Sequence, residues 1–242
     1  FRLTPWHNDP VTDASGEALK VRDEETGALW SPTPLPVCGA GQYVSRHGFG
    51  YSVFEHTEDG IETELWVYVA ADAPVKFSVL RLRNTSGRPR RLTVTGYVEW
   101  VLGELQAKSR MHVVTELDPK TGALMARNSY GKEFAGHVAF FAVSQTAQSV
   151  TADREEFLGR NHSSSHPAGL GRTHFSGRTG PALDPCAAIQ AGCDLGENDE
   201  TEIAFVLGAG SSLDEARALV QQHRSASAAR RALEAVWASW NR

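Results

Sequence analysis

The chain has 242 residues, 24 Lys and Arg against 29 Asp and Glu, and a net charge of −5. Single β-sandwiches and barrels reach roughly 200–250 residues. With 41% hydrophobic and 22% charged residues, the chain can bury a substantial core, which excludes disorder and low-complexity sequence for most of its length. The acidic balance argues against a grip on phosphate backbones, and no apolar run nears the roughly 20 residues of a bilayer span, so a soluble segment touching neither nucleic acid nor membrane is expected.

In chain order, Ser31–Pro36 (Ser-Pro-Thr-Pro-Leu-Pro) reads as an extended, polyproline-like loop. Strands follow. Ile61, Thr63, Leu65, Val67 and Val69 share one face of a strand, and Glu62, Glu64, Trp66 and Tyr68 share the other. Tyr51–Glu55 and the turn Glu58–Gly60 make this a hairpin. In Val75–Arg83 the apolar phase shifts from Val75, Phe77 and Val79 to Leu80 and Leu82, which predicts burial on both faces or a bulge. Leu92, Val94, Val98 and Trp100 alternate again. Further strands are predicted over Met111–Leu117, Ala123–Arg127, His137–Val143, Gln148–Thr151, Cys186–Leu195 and Thr201–Leu207. Many strands joined by Gly, Pro and Asp turns, without helices between them, define an antiparallel sandwich.

The last 31 residues, from Ser212 on, differ. Ser212 and Glu215 form a capping box, and Leu213, Ala216, Leu219 and Val220 follow helical spacing. Ser225 caps a second predicted helix whose stripe is Ala229, Leu233, Val236, Trp237 and Trp240. Trp237 and Trp240 are three apart, so they meet one surface, either the sandwich or a neighbouring copy, and they are the candidate interface residues. The stretch 153–181 has little periodicity, much Gly and Ser, and the arginines Arg154, Arg160, Arg172 and Arg178. An unstructured stretch of that length inside a domain is functional or disordered.

Most chemical motifs fail on spacing. Cys38, Cys186 and Cys193 form no CxxC pair and are odd in number, so reduced, mostly buried thiols are expected rather than disulfides or structural zinc. His7, His47, His56, His112 and His137 lack ligand spacing, and His162 with His166 is a loop pair, so no metal and no cofactor is expected. The run Gly208–Ser212 imitates a dinucleotide fingerprint, but Leu213 occupies the third glycine position. Ser52 lacks the second glycine of a nucleophile elbow. Glu24 with Glu25, Glu62 with Glu64 and Glu155 with Glu156 are acidic pairs. Spacing alone does not set two carboxyls across a glycosidic bond, and Glu62 and Glu64 read as a solvated face. Trp6, Trp30, Trp66 and Trp100 offer indole faces for sugar rings, with burial in the core as the competing fate; Trp66 and Trp100 are carried as candidate carbohydrate contacts.

Some segments are more particular: Thr4–Pro10 (Thr-Pro-Trp-His-Asn-Asp-Pro), Arg22–Gly27, Trp30–Pro34, Arg46–His56 (Arg-His-Gly-Phe-Gly-Tyr-Ser-Val-Phe-Glu-His), Tyr97–Gly103 and Leu183–Gln190. Over nearly the whole chain they resemble the N-terminal sandwich domain of the phosphorylases of glycoside hydrolase family ninety-four, formerly glycosyltransferase family thirty-six, and within it the cyclic β-1,2-glucan synthase region. Gly48 and Gly50 within the strongest motif also fit a bulge or close backbone approach, and Asn8–Pro10 a turn. The resemblance implies an all-β fold, a large two-sheet antiparallel supersandwich of the galactose-mutarotase-like type. It places a carbohydrate-associated sandwich over 1–210 and C-terminal linker helices over 211–242, leading toward an (α/α)6 catalytic barrel outside this chain.

The resemblance also likens Asp153–Arg160 to a segment that reaches toward a partner subunit's sugar site, which makes Arg154, Phe157 and Arg160 candidate carbohydrate contacts. An arginine fork suits hydroxyls or phosphate, Phe157 would anchor the segment, and Gly159, Gly169 and Gly171 would let it move. A solvated loop whose arginines pair with Asp153, Glu155 and Glu156 is the alternative. The leading expectation is a non-catalytic carbohydrate-binding or substrate-positioning domain with no catalytic residue of its own. The alternatives are a structural and dimerisation module and an independent mutarotase-like enzyme using His and Glu. Expected partners are a β-glucan or gluco-oligosaccharide, the barrel of the same polypeptide and a second copy. The chain opens on Phe1 without a leader and is expected to be a piece of a longer protein, on the cytoplasmic side, whose parent associates with the inner membrane.

Overall fold

Alternating apolar residues fold this chain into two antiparallel sheets, each covered on its outer face by a different device. The structure, a computed structural model, describes residues 2–6, 16–131, 134–161 and 163–240. The motif residues His7 and Asn8–Pro10 and the histidine His162 lie outside the described residues.

The strands are β1 (Glu17–Asp23), β2 (Leu29–Trp30), β3 (Tyr43–Gly48), β4 (Tyr51–Glu58), β5 (Ile61–Val69), β6 (Val75–Asn84) and β7 (Arg90–Glu99). The short helix α1 (Gln106–Ser109) precedes β8 (Val113–Leu117), β9 (Leu124–Asn128), β10 (Val138–Val143) and β11 (Ser149–Asp153). Helix α2 (Arg154–Leu158), β12 (Pro185–Leu195), β13 (Glu200–Gly210), α3 (Leu213–His223) and α4 (Ala226–Trp240) complete the chain. One sheet has five strands in the order β11-β12-β7-β1-β2, the other eight in the order β3-β4-β5-β6-β13-β10-β9-β8.

The two sheets face each other over Val21, Leu80, Leu82, Val94, Ile189 and Ile203 among others. Gly96 on β7 makes that approach possible: a Cβ there would stand 2.6 Å from the Phe205 ring and 2.8 Å from Phe141. A second buried cluster, with Phe77, Val79, Phe140, Val206, Val220 and Val236, lies between the outer face of the eight-stranded sheet and α3 and α4. The phase shift in β6 is therefore burial on both faces: Val75, Phe77 and Val79 meet the helices while Leu80 and Leu82 meet the other sheet. The β6–β13 register runs without a break from Glu200↔Arg83 to Gly208↔Val75, so no bulge is involved.

The described part of the 153–181 stretch is built rather than open. It contains α2 and a 3₁₀ turn at Ala168–Gly171, and its Phe157, Leu158, Leu170 and Phe175 seal Tyr97, Cys186 and Ala188 on the outer face of the five-stranded sheet. Four layers result: cap, five strands, eight strands, helices.

Helix starts follow their caps. Ser212 Oγ accepts from Glu215 N at 3.2 Å, and the Glu215 carboxylate reaches back to Ser211 N at 2.7 Å, one residue earlier than a capping box places it. Ser225 Oγ accepts from Ala228 N at 3.1 Å. Asp23 and Arg90, both buried, form an ion pair; Asp23 also accepts from Glu25 N and Thr26 N, and Arg90 donates to Asp59 O at 2.7 Å. This network fastens the five-stranded sheet to the β4–β5 turn of the other sheet. Of the free thiols, Cys186 and Cys193 are buried and Cys38 is exposed.

Candidate functional site

Trp66 and the pair Trp237 and Trp240, offered by distant parts of the sequence, come together at one end of α4. Trp66 points outward from β5 and stacks on Tyr51 of β4, with ring centroids 5.4 Å apart and planes at 26°. Trp237 of α4 meets both rings edge-on, at 6.1 Å from each. One turn on, Trp240 stacks against Phe49 at the tip of the β3–β4 hairpin, at 5.7 Å. The hairpin fits because Gly50 holds a positive φ of 81° and has no side chain; a Cβ would lie 2.7 Å from Val236 Cγ1. Gly48 likewise leaves room, for the Tyr51 ring. Tyr68 OH donates to Ala229 O at 2.7 Å and fixes the start of α4 on the sheet. Trp237 remains 39% exposed, Trp240 59% and Phe49 76%.

Beyond the aromatic rows the same face becomes charged. Trp66 Nε1 donates to Glu64 Oε1 at 2.7 Å. Glu64 pairs with Arg81 at 3.7 Å, Arg81 with Glu200 at 3.0 Å and Arg83 with Glu62 at 3.8 Å. The strand registers set these rows: Glu55 lies opposite Glu64, and Glu64 opposite Arg81. A surface depression of about 350 Å³ is lined by Glu55, Glu62, Glu64, Arg81, Arg83 and Glu200. The arrangement offers ring faces and edges beside forks of donors and acceptors, the complement of a pyranose with apolar C–H faces and equatorial hydroxyls.

Other candidates lie elsewhere. Trp100 is fully buried between the sheets, which corrects its reading as a carbohydrate contact: no face of the indole meets solvent. Phe157 is also fully buried, stacked on Tyr97 at 4.4 Å, so it belongs to the core of the cap. Arg154 is tied down, with Nε 2.8 Å from Glu99 Oε1 and Nη1 3.2 Å from Asp184 Oδ2. Burial would raise the Glu99 pKa, but hydrogen bonds from Arg154, Gln106 and Tyr97 outweigh it and hold the carboxyl below its usual range. Arg160 alone of these reaches outward, its side chain 85% exposed and paired only with exposed Glu155 at 3.2 Å among the described residues. Gly169 packs against the α2 backbone, where a Cβ would stand 2.9 Å from Phe157 O.

A His–Glu pair that a mutarotase-like reaction would need does occur, and its surroundings are structural. His56 Nε2 lies 3.1 Å from Glu58 Oε2, Nδ1 lies 3.2 Å from Gln42 O, and the ring stacks on Tyr43 at 3.8 Å. Its side chain has no exposed surface; it clamps the extended segment after Ser31. The described residues contain no cluster of three or more His, Cys, Asp or Glu able to hold a metal.

Two packed antiparallel sheets flanked by helices and a folded cap define a large sandwich domain. A family model described as the glycosyl hydrolase 94 supersandwich domain matches residues 1–226, and the chain belongs to that family. It is 36% identical over 242 residues to the cyclic beta-(1,2)-glucan synthase NdvB of Rhizobium meliloti (strain 1021), covering 99% of this chain and 8% of that protein. It is 25% identical over 218 residues to the N,N'-diacetylchitobiose phosphorylase of Vibrio furnissii, covering 86% of this chain and 27% of that enzyme. A bacterial glucoamylase complexed with acarbose superposes with a TM-score of 0.60 at 9% identity, covering 93% of this chain and 31% of that one; this likeness shows the fold alone. The chain thus spans less than a third of each of these relatives.

Proposed function

We propose that this chain is a non-catalytic, substrate-positioning domain of a β-glucan-processing glycosyltransferase or phosphorylase. It holds a gluco-oligosaccharide where Trp66 and Trp237 border the Glu64–Arg81 rows. The observation that supports this most is the junction itself: an aromatic cluster running into a charged depression on a part of the sheet that α4 leaves open. Sugar C–H groups pack on the exposed aromatic surface, and the rows of carboxylate and guanidinium accept and donate to hydroxyls. The names of the relatives, a glucan synthase and a disaccharide phosphorylase, agree with a carbohydrate ligand. Catalysis belongs, on this reading, to a barrel elsewhere in the parent polypeptide.

Titration calorimetry of the chain with linear and cyclic β-1,2-glucans, with cellobiose for comparison, tests the reading. Saturable heat with a β-1,2-glucan, lost in Trp66→Ala, is expected; no saturable binding of any of the three would overturn it. A second reading, a docking or dimerisation surface, is favoured by the exposed and interlocked Phe49 and Trp240. Sedimentation of the same samples separates the two: a dimer that dissociates in Trp240→Ala, without sugar binding, supports docking.

A further inference from the structure

Lys20 is the least expected residue under the cap. It faces outward from β1, opposite Thr95 of β7, and its side chain has no exposed surface. Its Nζ makes no hydrogen bond. Two rings face it, Phe157 of α2 with its centroid at 5.4 Å and Tyr97 of β7 at 5.6 Å. Aromatic faces attract an ammonium group, but they do not replace its water. Burial accordingly favours the neutral amine and pulls the Lys20 pKa down to about 7.

The charged and titratable groups on the surrounding elements are committed elsewhere. On β1 itself, Arg22 donates to Leu170 O at 2.7 Å and approaches Glu24 at 3.7 Å. On β7, Tyr97 OH donates to Glu99 at 2.8 Å, and Glu99 takes Arg154. From the cap, Glu156 accepts from Thr151 and Ser176 and faces Arg172 at 3.5 Å, while Glu155 faces Arg160. On β11, Asp153 is held by Arg178 at 2.7 Å. On β12, burial pushes the Cys186 thiol well up, so it is neutral. Among the described residues no carboxylate pairs with Lys20.

We propose that residues 154–161 and 163–176 form a proton-linked cap: Lys20 gives up its proton to bulk water when the cap closes and takes one back when it opens. The sign follows from the burial. The closed state binds fewer protons, so rising pH favours closure and acidification favours opening. The opening equilibrium changes about tenfold per pH unit between the closed-state value near 7 and the free-amine value of 10.5, and is level below 7. Arg160 rides on this segment, so its placement is linked to the same proton. The inference does not depend on the sugar-binding reading.

Two thiols on one strand provide the test. Cys186 lies under the cap with Phe157, whereas Cys193, seven residues along β12, lies between the sheets. With Cys38→Ser removing the exposed thiol, labelling of each cysteine is followed by peptide mass spectrometry from pH 6 to 10, with Lys20 and with Lys20→Met. Both proteins share the same thiol chemistry, so the ratio of their Cys186 labelling rates reports the amine. The expected ratio is highest at the acid end, levelling off below about pH 7, and falls at least a hundredfold from pH 7 to pH 10, while the ratio at Cys193 stays level. A level ratio at Cys186, or equal changes at both cysteines, would overturn the proposal. If Lys20→Met fails to fold, side-chain NMR of Lys20 in the unaltered chain decides: titration near pH 7 supports it and titration above pH 10 refutes it.

Discussion

Gly50 and the Asp23–Arg90 pair show how single residues set the geometry. Gly50 combines a left-handed backbone with contact against Val236 and Trp240, so Gly50→Ala is strained twice, by φ and by space. A loss of about 1–2 kcal/mol in urea unfolding is expected, with a red shift of tryptophan emission as α4 lifts from the hairpin. Arg90→Met leaves the Asp23 carboxylate buried without its partner and should cost about 3–5 kcal/mol in the same measurement. In the unaltered chain, burial would raise the Asp23 pKa, but hydrogen bonds from Thr26, Arg90 and Glu25 prevail and lower it. Its contribution is thus complete above the ordinary carboxylate value of 3.8 and is lost as pH falls through the lowered one; a urea midpoint series from pH 5 to pH 2 should show that loss, and Asp23→Asn should flatten it. Lys20 has the opposite effect. Its lowered pKa costs stability below pH 7 and returns it as pH rises toward 10.5.

At the level of elements, the strands with clear alternation, β5, β7, β12 and β13, could be read from the chain almost to their ends. β1 could not, because Lys20 and Arg22 occupy its outer face, and only the cap makes that face an interior. Trp100 and Phe157 misled for a related reason: an aromatic side chain suits a sugar and a core equally, and what covers it comes from residues far away in sequence. The 153–181 stretch lacks a period because its apolar residues, Phe157, Leu158, Leu170 and Phe175, serve a short helix, a 3₁₀ turn and a loop in turn. Conversely, the helical spacing of Trp237 and Trp240 placed both on one surface, and that surface is the sandwich. Removing Phe157 by Phe157→Ala should cost about 3–5 kcal/mol in chemical unfolding. Arg160→Ala, at an exposed position nearby, should stay within about 0.5 kcal/mol. Replacing both Trp237 and Trp240 by Ala should cost about 1–3 kcal/mol, since each is only partly buried.

In the whole molecule, the division of labour follows from the four layers. Both sheets are occupied on their inner faces, the cap seals one outer face and α3 and α4 seal part of the other. Among the described residues, one part that α3 and α4 leave open is the strip from Tyr51 and Trp66 to Arg83. A domain with its histidine–glutamate pair locked in a structural clamp should not turn over sugar alone, so phosphate and a β-glucan added to the chain should yield no glucose 1-phosphate in a coupled assay. Sugar binding at the aromatic–charged junction is read most directly from the indole ¹⁵N–¹H spectrum of the chain titrated with linear β-1,2-glucan, where each tryptophan reports its own site. Saturable shifts of Trp66 and Trp237 are expected, with Trp30 and Trp100 unmoved in the core. An unchanged spectrum at saturating glucan, or shifts that leave Trp66 and Trp237 untouched, would contradict it.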